Sequence, residues 1–365
     1  MIYDYLVVGS GFFGATFARE LTDAGAQCLV VDNKSHIGGS SYTNVEDGIV
    51  VHIYGGHIFH TNSEKIWKYV NQFAYFNHYI HQVKVNYDST LYSFPINLFT
   101  LYQLWGAKTP EEAEKKLNQV RVPCANPSNL EEWILSQVGD EIYRKFIYGY
   151  TKKQWGDEPR NLPASIIQRL PIRMTMNDLY FSDRYQGIPQ GGYTPLFENM
   201  LEDIPVELNV DYLANRDALE ARAKKIVYTG ALDAFFDYDQ GKLGWRSLSF
   251  EHQKLDMQSF QGNSVINYPE ADVPWTKILE HKHFEPGQQT STIITRELPQ
   301  FYTEGRERFY PINTEDNAKL CRKYQDRIDA RRYVVGGRLG NYKYYDMHQV
   351  VGEALKVAQQ EIDKS

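Results

Sequence analysis

Four groups of residues stand out for what their types and spacing can do. Gly9, Gly11 and Gly14 form G-x-G-x-x-G within "YDYLVVGSGFFGATFARELTDAGAQCLVVD", and Asp32 closes that stretch. The first glycine allows a tight turn, the second lets backbone approach a pyrophosphate, and the third lets helix pack on strand. A carboxylate at the end of the next strand stands where ribose hydroxyls are accepted. A glycine pair, Gly38 and Gly39, follows in "NKSHIGGSSYT". Then "YGGHIFHTN", residues 54–62, sets Gly55, Gly56, His57 and His60 close together. Metal ligation, acid–base catalysis and contact with something flat and large compete for this stretch. Metal fits poorly. The spacing of the two histidines suits a helix face, but "VVHIYGGHIFH" is β-branched and glycine-broken, and no third ligand is near in the sequence. No metal is assigned; a structural role or contact with a flavin or substrate remains.

The elements that must position these residues are readable. Tyr5 to Val8 is a short apolar run suited to a buried parallel strand. A helix is predicted from about Phe12 to Ala24, ending near Gly25, with its N-terminal N–H groups turned to the pyrophosphate. "QCLVVD" is the next strand. A strand before the glycines, a helix after them and the acid at the right distance make dinucleotide binding a strong reading. The Gly38–Gly39 pair resembles the second fingerprint of FAD-binding proteins of the glutathione-reductase type and points to FAD.

Composition narrows the class. The chain has 365 residues, which suggests two or three domains. A net charge of -7 without blocks of like charge argues against a nucleic-acid partner. No run approaches the roughly 18 apolar residues that span a bilayer, and the N-terminus enters a strand at once, so membrane insertion is not expected and the cytoplasm is the default. Cys28, Cys124 and Cys321 lie far apart, indicating neither a disulfide framework nor a CxxC site. The 27 tyrosines offer flat faces with hydroxyls, a combination that sugars and nucleotides require.

Across nearly its whole length the chain resembles the bacterial UDP-galactopyranose mutases, through "GSGFFGA", "HIGGSSYT", "YGGHIFHTN", "GYTKKQWG", "LPASIIQRLPIR", "YFSDRYQGIPQGGYT", "EHKHF" and "GGRLGNYKYYDMHQV". The resemblance implies a non-redox flavoenzyme, an isomerase active with reduced FAD. It interconverts UDP-galactopyranose and UDP-galactofuranose and supplies the furanose for surface polysaccharide. N5 of the reduced flavin attacks the anomeric carbon, UDP leaves and later returns; this is covalent catalysis carried by the cofactor. It also implies a homodimer. The same chemistry on UDP-N-acetylgalactosamine or a dTDP-linked deoxygalactose such as dTDP-fucose is the near alternative. An FAD-dependent amine or sugar oxidase is the alternative from another class.

The resemblance also distributes roles. Phe146, Tyr150, Trp155 and Tyr180 match the nucleotide and substrate end of the cleft, and Asn267 a position near the sugar. Arg173, in "LPIRM", matches a diphosphate arginine, while Lys277 stands where a second arginine is expected. Lysine keeps the charge and loses the bidentate fork. Tyr310 and Tyr344 match diphosphate-binding tyrosines. Gly38, Gly39, Ser40, Gly56, His57, Arg338, Asp346 and Met347 fall to the flavin, with Ser40 in place of an asparagine and Gly56 in place of proline or alanine. His57, Arg173 and Lys277 are the expected catalytic residues.

The predicted fold is α/β: a Rossmann-like FAD-binding domain (1–78, 190–232, 330–365), an inserted helical substrate domain (96–180) and an antiparallel sheet domain (79–95, 181–189, 233–329). In the helical part, Leu130, Ile134, Val138, Ile142 and Phe146 form a stripe, and Asn129 with Glu132 resembles a capping box. Val350, Ala354 and Val357 are expected on one face of the last helix, with Asp346 at its start. Gly187, Gly191 and Gly192 mark a candidate hinge.

Overall fold

The structure is a computed structural model that describes residues 2–168 and 170–364. Its first layer is a parallel sheet of five strands, ordered Tyr333–Val335, Ala223–Tyr228, Tyr3–Val8, Cys28–Val31, Val206–Glu207. Tyr5 pairs with Lys225 on one side and Cys28 on the other. Strands buried on both faces need apolar residues at odd and even positions alike. Tyr5, Val7, Val30 and Val227 accordingly enter the core shared with the helices Phe12–Asp23 and Met347–Ile362. Leu6, Leu29, Val31, Ile226 and Tyr228 face the other way, onto Tyr212, Leu219 and Phe235.

The second layer is a seven-stranded sheet, ordered Tyr310–Pro311, Trp245–Leu255, Thr292–Phe301, Lys277–Glu280, Val265–Asn267, Val83–Tyr87, Thr90–Phe94. It is antiparallel except where Val265–Asn267 runs parallel to Val83–Tyr87. The helical part contains Leu98–Trp105, Pro110–Val120, Leu130–Ile142, a π-helical turn at Tyr143–Tyr148, and Gly149–Trp155. The expected stripe is real: Leu130, Ile134, Val138, Ile142 and Phe146 are all buried.

Several expectations need correction. Residues 181–189 do not join the large sheet: Tyr185–Gly187 pairs with Phe59–Thr61, so this segment belongs structurally with the histidine stretch. The capping box at Asn129 is half formed. Its side chain accepts from Glu132 N–H at 2.9 Å, but the Glu132 carboxylate accepts from Ser128 N–H and Oγ–H instead. In the last helix Val350, Ala354 and Val357 do face one core, joined by Val351, Leu355 and Ala358 because the helix packs against both Phe12–Asp23 and Phe59–Thr61. Gly187 is no hinge: a Cβ there would stand 2.5 Å from the Asn77 carbonyl oxygen, so the glycine permits close packing.

Candidate active site

The two glycine motifs meet backbone to backbone. Gly38 N–H donates to Ser10 O at 3.2 Å, and a Cβ on Gly39 would stand 3.3 Å from Gly11 Cα. Gly14 cannot be anything larger, since a Cβ would lie 1.9 Å from Gly9 O. The helix Phe12–Asp23 begins with Gly11 at its N-cap, no side chain capping it and no acid in its first turn. Its leading N–H groups are therefore left for an anion, as a dinucleotide pyrophosphate requires. Asp32 is buried, and its carboxylate accepts from Ser10 N–H (2.8 Å), Ser10 Oγ–H (2.6 Å) and Lys34 N–H (3.0 Å). A carboxylate has about four acceptor sites, so one remains for a ribose hydroxyl. Ser40 lies in the short turn Gly39–Ser41, whose Ser41 hydroxyl touches the Met347 sulfur at 3.7 Å. The start of the last helix is thereby fixed beside the second glycine motif. Asp346 N–H is capped by Gln349 Oε1 at 2.9 Å. The residues present fit a dinucleotide cofactor.

The histidine stretch is anchored by imidazoles that sequence reasoning missed. His57 N–H donates to His52 Nδ1 (3.1 Å), and His52 N–H donates to His281 Nδ1 (3.2 Å). His281 Nε2 then reaches Thr295 Oγ1 at 2.6 Å. His57 Nδ1 donates to Gly55 O at 2.7 Å, which leaves Nε2 as an acceptor in the neutral ring. The glycines serve packing: a Cβ on Gly55 would meet Glu297 and Phe250 at 3.1 Å, and one on Gly56 would meet Leu279 and Phe284 at 3.3 Å. They let the segment press onto the large sheet.

Burial holds these rings neutral. It pushes His57 down to about 4, with Arg338 and Lys277 adding to the effect, and His281 down to about 3; His81, whose ring packs against Tyr180, is likewise pushed down to about 3. His52 is also held well below its ordinary value by burial. In the unfolded chain all four protonate near 6.5. The unfolded state thus binds more protons between about pH 6.5 and 4. The stability these rings provide is complete above 6.5 and is lost as pH falls through their folded values. The thermal midpoint is expected to drop steadily from pH 7 to pH 4.5; a flat profile would contradict these assignments.

Lys277 is the electrostatic centre. It faces Asn267 across the strand pair Val265–Asn267 and Lys277–Glu280. Its ammonium lies 3.2 Å from Glu297, a buried carboxylate not singled out from the sequence. Burial alone would lower the ammonium's pKa, but Glu297, then Tyr150, Tyr310 and Tyr180, hold it well above its ordinary value. Burial raises the Tyr150 and Tyr310 hydroxyls, which stay protonated donors at neutral pH. Tyr310 lies 5.5 Å from Tyr344 and 6.4 Å from Trp155, ring to ring. Arg338 sits over Tyr344 at 5.3 Å and donates to Tyr345 O at 2.6 Å. His57, Tyr150, Trp155, Tyr180, Asn267, Lys277, Tyr310, Arg338 and Tyr344 thus form one linked constellation. Arg173 is held separately: its guanidinium donates to Leu179 O at 2.6 Å, beside Tyr180. Phe146 is buried and packs edge-on against Tyr92, a core position.

Trp155 is only partly buried, which sets it apart from the core stripe. The helix Gly149–Trp155, carrying Tyr150 and Trp155, docks on the loop before Lys277. A Cβ on Gly149 would lie 2.0 Å from Pro269 O. Four residues on, Lys153 Nζ donates to the carbonyls of Tyr268 (2.6 Å) and of Glu270, Val273 and Trp275 (2.8 Å each). Arg246, another buried cation that sequence reasoning missed, donates to Gln154 O (2.9 Å) and Lys153 O (3.0 Å), at the negative end of this helix. Both are legible afterwards as charges in stretches that fold inward. Lys153→Met leaves four carbonyls without their shared donor. It is expected to destabilise the protein by roughly 3–5 kcal/mol. Unchanged thermal stability would contradict that account.

This is an α/β protein with a dinucleotide-binding glycine fold and a buried lysine, Lys277, set among tyrosines. The model of the UDP-galactopyranose mutase family matches residues 145–344, and that of an NAD(P)-binding Rossmann-like domain matches residues 7–73. A probable UDP-galactopyranose mutase of Klebsiella pneumoniae is 39% identical, covering 97% of this chain and 93% of that protein. A dTDP-fucopyranose mutase of Escherichia coli is 37% identical over 97% of both. A crystal structure of reduced UDP-galactopyranose mutase superposes with a TM-score of 0.78 at 14% identity, covering 100% of this chain and 95% of that one. Putrescine oxidase shares the fold more distantly, with a TM-score of 0.59 at 12% identity, covering 100% of this chain and 99% of that one. The chain belongs to the UDP-galactopyranose mutase family and is an isomerase; membership implies a flavin cofactor and a nucleotide-sugar substrate. Among the described residues, no helix is long and apolar enough to cross a membrane.

Proposed function

We propose that this enzyme is a UDP-galactopyranose mutase that binds FAD and interconverts UDP-galactopyranose and UDP-galactofuranose. The observation that carries the reading is Lys277 held charged between buried Glu297 and the phenols of Tyr150 and Tyr310. Reduced flavin, when bound, supplies the nucleophile for the anomeric carbon. The chain's part is to hold and release the diphosphate. Lys277 neutralises charge on the leaving group, and Tyr150, Tyr310 and Tyr344 offer hydroxyl donors. Arg173 adds a second cation from the segment next to Tyr180. Glu297 restrains the flexible lysine stem, offsetting part of what the missing guanidinium fork would provide. Trp155 offers a face to the base. His57, neutral with Nε2 left as an acceptor, would lie against the flavin. Arg338 and the start of the last helix, at Asp346 and Met347, favour negative charge on reduced flavin. The three cysteines are all unpaired, which fits a reducing cytoplasm.

A second reading, the same ring contraction on dTDP-fucose, is favoured by the near-equal identity to the E. coli relative and by Lys277 itself. The ratio of kcat/KM for UDP-galactofuranose and dTDP-fucofuranose with reduced enzyme decides. A ratio above one supports the first reading, and a ratio well below one replaces it with the second. Trp155→Ala is expected to weaken UDP by about 1–3 kcal/mol, the contribution of one base stacked on an aromatic ring. Titration followed by tryptophan fluorescence measures it; unchanged affinity would remove Trp155 from the site.

A further inference from the structure

His60 lacks metal-ligand partners in its sequence neighbourhood, and the fold supplies two from the other end of the chain. The last helix begins beside the strand Phe59–Thr61, and it brings Asp346 and His348 to His60. One ligand atom from each of the three residues lies within 4.8 Å of the others. We propose that His60, His348 and Asp346 form a site for a divalent transition metal of the Zn2+ class.

Three independent features support it. Two imidazoles and one carboxylate are a ligand set that such ions prefer, and three protein ligands leave a coordination position open. His60 is already oriented. Its Nδ1 is held by Asp183 Oδ2 at 2.7 Å, and its ring stacks on Phe181 at 3.7 Å between centroids. Nε2 is the nitrogen that remains for a metal, and a carboxylate on the far nitrogen of a ligating histidine fixes the ring and raises its basicity. His348 is poised as well: its ring lies 5.0 Å from that of His60, and its Nδ1 is buried with no hydrogen-bond partner. Ligand atoms on a bound ion stand roughly 3.3 Å apart, given bond lengths of about 2.0 Å. Because Asp183 and Phe181 hold His60, binding would draw the Asp346 and His348 side chains in toward it. A bound ion would tie the first turn of the last helix to the strand Phe59–Thr61 and, through Asp183, to the 181–184 segment.

The site does not depend on which sugar the enzyme uses. Because Asp346 is also proposed to lie at the flavin edge, the test uses the flavin-loaded enzyme without an affinity tag. Titration with Zn2+ in a calorimeter is expected to show one equivalent bound, with a rise in thermal midpoint. His348→Asn, a change on the partly exposed first turn of a helix, should weaken binding at least tenfold and abolish the rise. Asp183→Asn leaves all three ligands in place and should weaken binding by about 10- to 100-fold, the usual effect of losing an outer-shell partner. If the parent enzyme binds no Zn2+ stoichiometrically, or if His348→Asn binds it as tightly as the parent, the proposal is overturned.

Discussion

Lys277→Ala is expected to reduce turnover by at least about 100-fold, the scale on which misplacement of reacting groups by about 1 Å is felt. Two losses coincide in this variant. On the proposed function the leaving diphosphate loses a cation, and Glu297 is left buried without its partner at 3.2 Å. A buried carboxylate stripped of its ion pair destabilises a fold by roughly 3–5 kcal/mol, so lower activity alone would not separate catalysis from folding. Lys277→Ala with Glu297→Gln removes the unpaired charge and should restore most of the thermal stability while leaving turnover low. Lys277→Arg keeps the ion pair and adds a second donor. With UDP-galactofuranose it should equal or exceed the parent. Normal turnover of the alanine variant on every nucleotide sugar the parent accepts would move the site away from Lys277.

His57→Ala is the second large effect expected. His57 is bound at both ends, through Nδ1 to Gly55 O and through its N–H to His52 Nδ1, so only Nε2 and the ring face are free to act. Loss of the ring should lower flavin retention and cut turnover by about 100-fold. It should shift the thermal midpoint of the flavin-free protein much less, because the backbone links to His52 and His281 do not involve this side chain. With the ring neutral down to about pH 4, activity between pH 5 and 8 should show no inflection that disappears in the variant. A fully yellow, fully active His57→Ala protein would return this residue to a packing role.

Much of the fold was legible because local patterns carried it. The glycine fingerprint, the apolar runs of the parallel strands and the four-residue stripe at Leu130–Phe146 each specify an element from its own residues. What could not be read depends on partners far away in the chain. Glu297 looks like any charge on an alternating strand until Lys277 faces it across the pairing of Lys277–Glu280 with Thr292–Phe301. Lys153 sits in a polar helical stretch and is recognisable only once the carbonyls of residues 268–275 converge on it. His52 and His281 are separated by more than half the chain, yet one accepts the other's N–H. Gly55 and Gly56 invited a reading in terms of a flat ring, and only the fold shows them packed toward Glu297, Leu279 and Phe284. The residues given substrate roles by family resemblance gather around Lys277 with two exceptions. Phe146 lies in the core against Tyr92, and Arg173 is tied to the Leu179 carbonyl.

The central claim is that the enzyme rearranges a nucleotide-bound sugar with no net redox change. Incubating the flavin-loaded enzyme with UDP-galactofuranose, with and without dithionite, and separating the nucleotide sugars by HPLC tests it directly. The account predicts conversion to UDP-galactopyranose in the reduced sample, little in the oxidised one, and no oxygen consumed in proportion to product. Substrate-dependent oxygen uptake with no pyranose formed in the reduced sample would contradict it.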